Sequence, residues 1–159
     1  MSIAKVKEYL AAYGAAERVR EFDVSSATVE LAAKALGCEE ARIAKTLSFM
    51  LGERVLLIVA AGDVKVDNRK YKDFFGGKAK MLAREDTERL TGHAAGGVCP
   101  FAVAEGAEVW LDESLKRFDT VFPACGSASS AIELTLQELE TFSRAKGWTD
   151  VCKPYESAE

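Results

Sequence analysis

The sequence has little of several features that mark other classes of protein. Its four cysteines are widely scattered, and no two are separated by the two residues typical of zinc and redox motifs. It has one histidine and no grouping of His, Cys, Asp and Glu with metal-ligand spacing, so we predict neither a metal nor another cofactor. No stretch approaches the ~20 apolar residues of a membrane span.

The charge balance and the N-terminus exclude further classes of protein. The net charge is −4 and the pI is about 5.2, which argues against a DNA-binding protein or a general RNA binder because these show a basic face. Contact with a short nucleic-acid end stays compatible with this charge. Residues 1–7 hold no long apolar run, so we predict no signal peptide. The expected protein is reduced, cytoplasmic and without a membrane partner.

The pattern of apolar residues, caps and glycines predicts an α+β (mixed α/β) fold in a single domain, 1–159. Helices are predicted over 3–13, 31–36, 67–74, 84–90 and from 135 onward, with caps available in 23–28. Strands are predicted over 18–22, 46–50, 54–60, 78–82, 108–111, 120–122, 131–134 and 148–152, and the tail after 154 is expected to fray. We expect a curled, barrel-like mixed sheet of about seven strands surrounded by four or five helices.

A glycine loop, Gly96-Gly97-Val98-Cys99-Pro100-Phe101, is the first candidate for chemistry. Two adjacent glycines allow a sharp turn and a close approach of another molecule, and Pro100 stiffens the far side. Such a loop can present several N–H groups to one oxygen, as oxyanion holes do. The alternative is an ordinary tight turn between two elements.

Lys45 and a second loop are the other candidates. Lys45 stands at the mouth of a predicted strand between Ala44 and Thr46, where its ammonium can hold a phosphate or a carbonyl as a point charge. A solvated surface lysine is the alternative. The small-residue loop, Cys125-Gly126-Ser127-Ala128-Ser129-Ser130, precedes a predicted core strand and indicates a cavity of modest size.

Three strings occur in order along the chain: Lys45-Thr46-Leu47, the glycine loop, and residues 126–134. Together they resemble the YbaK/EbsC family of aminoacyl-tRNA deacylases, which is related to the editing insertion domain of bacterial prolyl-tRNA synthetase. The resemblance extends over about 22–142. It implies a mixed α/β fold with a curled sheet, and an enzyme that hydrolyses the ester between a wrong amino acid and its tRNA.

The resemblance also implies roles for individual residues. Lys45 would anchor the 3′-terminal adenosine or the substrate. The backbone of the glycine loop would position the scissile carbonyl, while the ribose 2′-hydroxyl helps to orient the water; the loop residues concerned are Gly96, Gly97, Val98, Cys99 and Pro100. The substrate-binding residues would be Phe22, Thr28, Val29, Ala124, Gly126, Ser127 and Ala131. The partners implied are the 3′ end of an aminoacyl-tRNA and an aminoacyl-tRNA synthetase.

Two positions depart from the cysteinyl-specific members of the family. Ala131 stands where those members carry an aspartate, and Ala124 where they carry a small hydroxyl residue. Specificity for a cysteinyl ester is therefore in doubt. We predict alanine as the first substrate, with serine, cysteine or threonine behind it.

Two other functions remain open at this point. Cys99 and His93 lie six positions apart around the glycine loop, so a cysteine hydrolase is one alternative. A non-catalytic module that binds tRNA ends or a synthetase is the other.

Charged residues outside these motifs give three further expectations. Glu133, in an apolar strand, is expected to be a buried carboxylate paired with a cation. Asp112, Glu113 and Asp119 are expected to form a solvated turn. A basic cluster is the candidate for phosphate contact with the tRNA acceptor end, with a solvated helix face as the alternative. Its members are Lys65, Arg69, Lys70, Lys72, Lys78 and Lys80.

Overall fold

A long β-hairpin forms the centre of the fold in the computed structural model, which describes residues 2–22 and 28–154. Its arms are β2 and β3, joined at Gly52 and Glu53 as the sequence predicts. The strands of the described chain are β1 Arg20–Glu21, β2 Ile43–Leu51, β3 Arg54–Ala61, β4 Val64–Val66, β5 Ala107–Asp112, β6 Thr120–Pro123, β7 Ser130–Ala131, β8 Leu134–Thr135, β9 Gly147–Thr149 and β10 Cys152–Pro154.

Six of these strands make one mixed sheet, curled into a half-barrel, in the order β8-β6-β2-β3-β5-β9. Strand β3 is antiparallel to β2 and parallel to β5. Residues 56–60 of β3 are fully buried, because both faces of this central strand are covered. The remaining strands form two antiparallel pairs, β1 with β7 and β4 with β10. The predicted α+β fold with a curled mixed sheet is confirmed.

Five α-helices surround the sheet in the described residues: α1 Ser2–Ala11, α2 Val29–Leu36, α3 Asn68–Phe75, α4 Arg84–Thr91 and α5 Leu136–Ser143. Their ends follow the predicted signals. Asp67 caps α3, and Thr135 with Glu138 forms a capping box on α5. Thr28 caps α2, whereas the other caps predicted in 23–28 and the fraying tail after 154 lie outside the described residues.

Three predicted strands differ in the structure. The stretch 148–152 is divided between β9, which pairs with β5, and β10, which pairs with β4. Residues 78–82 contribute a single bridge, Met81 to Phe49, instead of a strand. The stretch 131–134 is divided, because β7 pairs with β1 whereas β8 pairs with β6. The chain changes its pairing partner between the two. The small-residue loop follows β6, whose Pro123 pairs with Ala44 near the start of β2.

The core has two parts. The larger part lies between the sheet and helices α1, α3 and α5, with Leu10, Tyr71 and Leu139 fully buried. A smaller cluster under α2 includes Leu36, Phe122 and Ala131. In the described chain, no helix combines the length and the apolar character needed to span a membrane.

Candidate active site

A cavity of about 430 Å³, here called the central cavity, opens between α2, β2, the glycine loop and the small-residue loop. Eight of the residues predicted for the site line it together: Thr28, Val29, Lys45, Gly96, Val98, Ala124, Ser127 and Ala131. Residues from four separate parts of the sequence therefore meet at one place.

The other five predicted residues, Phe22, Gly97, Cys99, Pro100 and Gly126, do not line the central cavity. Phe22 packs against the small cluster under α2, and its N–H donates to the Ser129 carbonyl oxygen over 3.0 Å. The remaining four are buried within the two loops. Pro100 instead lines a separate cavity beside α1.

The edge of β2 is open where it borders the central cavity. Strand β6 pairs only with the start of β2, and further along the Met50 N–H donates to the Lys80 carbonyl oxygen over 2.8 Å. Because backbone groups of alternate residues point to the same side of a strand, those of Thr46 point to this open edge as well. The cavity therefore borders backbone polar groups of β2 in addition to its side chains.

The glycine loop is partly closed on itself. The Gly97 N–H donates to the Ala94 carbonyl oxygen over 2.9 Å, so the turn uses this amide internally. Gly96 has a φ of 92°, in the left-handed region that favours glycine. The N–H groups of Gly96 and Val98, both lining residues, have no hydrogen-bond partner among the described residues. The loop thus offers two main-chain donors beside the cavity, fewer than the sequence predicts.

The small-residue loop is held by one buried hydroxyl. Ser130 Oγ accepts hydrogen bonds from the Cys125 N–H over 3.3 Å and from the Ser127 hydroxyl over 2.9 Å. Gly126 between them has a φ of 96°, which a residue with a Cβ rarely adopts. These bonds fix the loop in one conformation, with Ser127 against the cavity.

Lys45 is half-buried on β2, at the boundary between the central cavity and a smaller neighbouring one. Its ammonium donates to the Val64 carbonyl oxygen. The Arg117 guanidinium holds the pKa of nearby Asp63 below its usual value, and Lys45 acts in the same direction. The bond to Val64 sets the position of the charge. Because an ammonium carries three N–H donors, this bond does not prevent Lys45 from also donating to a ligand oxygen.

Cys99 has the environment of a structural thiol. Its burial raises its pKa to about 12, whereas a cysteine nucleophile needs a lowered pKa. The His93 Nε2 donates to the Phe101 carbonyl oxygen over 2.7 Å, so this nitrogen carries a proton and cannot accept one from Cys99 Sγ, 3.5 Å away. The cysteine-hydrolase alternative is therefore not favoured by this geometry.

Sequence reasoning missed several cavity residues, among them Thr46, Ser48, Arg84 and Thr87. The Thr46 Oγ1 is buried and has no hydrogen-bond partner in the part of the chain that the structure describes. Buried hydroxyls are normally paired, so such an atom at a cavity wall is a candidate contact for a ligand. The available signal was the alternation of Ala44, Thr46 and Ser48 along β2.

Two expectations for acidic residues need correction. Glu133 is paired with Arg42 at 3.2 Å, but its side chain is 50% exposed and not buried. Asp112 is 1% exposed instead of solvated, because its carboxylate accepts bonds from the Ser114 and Val151 N–H groups, each over 2.9 Å. These amides replace water around the charge.

The arrangement matches a known family over most of the chain. Residues 23–142 match the aminoacyl-tRNA editing domain family. The chain belongs to this family. The matched range coincides almost fully with the range over which the sequence shows the resemblance, 22–142, and it contains all three strings. Membership supports an editing deacylase role in general terms.

The chain is similar in sequence to two further proteins. The uncharacterized protein YwhH of Bacillus subtilis is 54% identical over 157 residues, which are 98% of this chain and 100% of YwhH. A proline–tRNA ligase of Limosilactobacillus fermentum is 28% identical over 107 residues, 64% of this chain, but that similarity covers only 19% of the ligase.

Solved structures share the fold. The crystal structure of a protein proposed to be a trans-editing enzyme for prolyl-tRNA synthetase superposes with a TM-score of 0.86 and 29% identity, over 96% of this chain and 97% of that one. A scaffold protein from a study of epitope grafting by computational design gives a TM-score of 0.87 and 27% identity, over 97% and 98% of the two chains.

Proposed function

We propose that this protein acts in trans to hydrolyse the ester bond between a small amino acid, alanine first, and the 3′ end of a mischarged tRNA. The observation that carries the proposal is the convergence of Lys45, the glycine loop and the small-residue loop on the central cavity. Membership in the editing family and the similarity to a proline–tRNA ligase support tRNA-Pro as the first tRNA to test.

In the proposed reaction a water molecule attacks the ester carbonyl carbon. The N–H groups of Gly96 and Val98 donate to the oxygen that becomes negatively charged. The bond from the carbonyl carbon to the ribose oxygen then breaks, and the ribose oxygen takes up the proton that the water has lost. Free amino acid and deacylated tRNA are the products. Removing one such oxyanion donor typically costs about 3 kcal/mol of transition-state stabilisation.

This chemistry needs no side-chain nucleophile. An aminoacyl ester is already activated toward water, and the ribose 2′-hydroxyl of the substrate is proposed to orient that water. The buried Cys99, with its raised pKa, is therefore not required. Lys45 is proposed to hold a phosphate or a hydroxyl oxygen of the terminal nucleotide by a charge-assisted hydrogen bond.

The cavity wall supports a small amino acid as the substrate. Small side chains line it at Ala124, Ser127 and Ala131, and Thr28 and Val29 line it from the start of α2. A synthetase pocket gains only about 1–3 kcal/mol by excluding one methylene, so small amino acids are mischarged. The central cavity of this protein would act after the synthetase as a second, smaller site that accepts and hydrolyses these mischarged esters.

The deciding experiment is a panel of tRNA-Pro species carrying alanine, serine, cysteine, threonine or proline, with deacylation measured against the rate in buffer. We expect acceleration that is largest for alanyl-tRNA and absent for prolyl-tRNA. Saturable binding of these tRNAs without any acceleration would overturn the proposal in favour of a non-catalytic binding module.

A further inference from the structure

A second cavity of about 280 Å³, here called the side cavity, adjoins the central one. Lys45, Leu47 and Met81 line both. Because the two cavities share these residues, a ligand longer than one nucleotide can extend from the central cavity into the side cavity. The shared lysine lies at the passage between them.

The polar groups of the side cavity favour an anionic ligand. Lys45 and Lys65 are its charged lining residues, and no carboxylate lines it within the described residues. Asn68, at the start of α3, contributes an amide that forms no hydrogen bond to any residue the structure describes. A free amide offers both a donor and an acceptor, which is what recognition of a base edge requires.

The apolar part of the side cavity includes Leu47, Phe49 and Met81. Leu47 and Phe49 lie along one side, and Met81 is 61% exposed between the two cavities. The backbone of Met81 is nevertheless tied to β2, because the Leu82 N–H donates to the Ser48 carbonyl oxygen over 3.2 Å. Methionine makes favourable contacts with aromatic rings, so its side chain provides a surface for a base.

We propose that the side cavity binds the nucleotide that precedes the terminal adenosine of the tRNA 3′ end. Lys65 contacts its phosphate, Asn68 its base edge and Met81 the face of its base. These are the three kinds of contact by which proteins bind single-stranded RNA. The inference rests on the proposed function, since that function places the aminoacyl ester in the central cavity.

The test compares two substrates, alanyl-adenosine and the alanylated dinucleotide cytidylyl-adenosine. For the wild-type protein we expect kcat/KM to rise roughly 5- to 150-fold when the cytidylate is added, the range expected for one stacked base. In the Lys65→Ala and Asn68→Ala variants, the ratio of kcat/KM for the dinucleotide substrate to kcat/KM for alanyl-adenosine falls toward one. In the control variant Lys34→Ala, an exposed lysine of α2 outside both cavities, it stays at the wild-type value.

Different results would contradict the side-cavity assignment and the proposed deacylase function. Equal rates on both substrates with the wild-type protein, or an unchanged ratio in both variants, would overturn the side-cavity assignment while leaving the deacylase intact. A wild-type protein that accelerates hydrolysis of neither substrate nor of mischarged tRNA would overturn the proposed function, and this inference with it.

Discussion

The backbone of Gly97 lies against the backbone of Gly126 with no room for a side chain between them. A Cβ on Gly97 would lie 2.7 Å from the Gly126 carbonyl oxygen and 3.1 Å from the Ser127 Cα. Both neighbours are backbone atoms, which cannot move aside as the end of a flexible side chain can. The glycine loop and the small-residue loop can therefore lie in contact only because Gly97 has no Cβ.

The Gly97→Ala variant is expected to separate these loops and to lose most deacylation activity. A displacement of 1 Å in a positioning element can cost about 100-fold in rate, and overpacking costs about 1–3 kcal/mol of folding stability. Deacylation of alanyl-tRNA at a temperature where circular dichroism shows the folded state, with urea unfolding in parallel, measures both effects.

Gly106→Ala is the matched control for that variant. Gly106 has a φ of 93° and open space where a Cβ would lie, and it does not line the central cavity. An alanine there introduces backbone strain of about 1–2 kcal/mol without touching either loop. Equal losses of activity in the two variants would mean that stability, and not the contact with Gly126, explains the effect.

Replacing Lys45 by methionine removes the charge and keeps most of the stem. We expect kcat/KM for alanyl-tRNA to fall by about 10- to 100-fold, since hydrogen bonds to charged groups contribute about 1.5–3 kcal/mol. Lys34→Met, on the exposed side of α2, serves as the control. Undiminished turnover by the Lys45 variant would remove the anchor role.

Local features of this fold could be predicted because their causes are local. The apolar run of β3 identifies a strand buried on both faces, and the capping box of Thr135 and Glu138 fixes the start of α5. The three strings supply five of the eight predicted residues that line the central cavity, namely Lys45, Gly96, Val98, Ser127 and Ala131. These predictions depend on neighbouring residues and on the resemblance alone.

Other features depend on partners far away in the sequence. The stretch 131–134 reads as one strand, but β7 and β8 pair with different strands, which no local pattern reveals. The direction of the Gly97 amide is set by the Ala94 carbonyl, a property of the turn geometry. Asp112 looks solvated in the sequence because the amides that surround it, such as that of Val151, come from another segment.

Ala124→Leu is expected to narrow the central cavity and sharpen its size selection. Ala124 is half-buried in the wall, and three added carbons there have to occupy ligand space. The rate of deacylation should fall for alanyl-tRNA and fall further for threonyl-tRNA, measured as the ratio of the two kcat/KM values. Ala11→Leu, at an exposed site of α1, should leave this ratio unchanged. If the Ala124 variant kept the wild-type ratio, the aminoacyl group of the substrate would not bind against Ala124.

Iodoacetamide treatment separates the deacylase from a cysteine hydrolase. Burial raises the pKa of Cys99 to about 12, so this thiol stays protonated at pH 8 and is a poor nucleophile. Mass spectrometry should find alkylation first at the half-buried Cys38, and at Cys99 only after unfolding in urea. Rapid labelling of Cys99 in the native protein, together with loss of activity, would favour the cysteine-hydrolase alternative.

His93 should make the folded protein less stable as the pH falls below about 6.5, the ordinary pKa of histidine. The ring is fully buried, and this desolvation lowers its pKa, with the charge of Lys5 acting in the same direction. Protonation of Nδ1, which has no partner among the described residues, would bury a second N–H without an acceptor.

The sign of the pH effect follows from proton uptake. Between the lowered pKa of the folded state and about 6.5, the unfolded chain binds more protons than the folded one, so stability rises with pH by at most about 1.4 kcal/mol per unit. The Glu138 carboxyl, whose pKa is about 2 because of Arg18, contributes to the pH dependence of folding stability only below about pH 4.5. Urea unfolding from pH 7 to 5 should therefore show a slope in the wild-type protein that is largely absent in His93→Gln, where the amide can still donate to Phe101. An equal slope in both proteins would assign the pH dependence to another group.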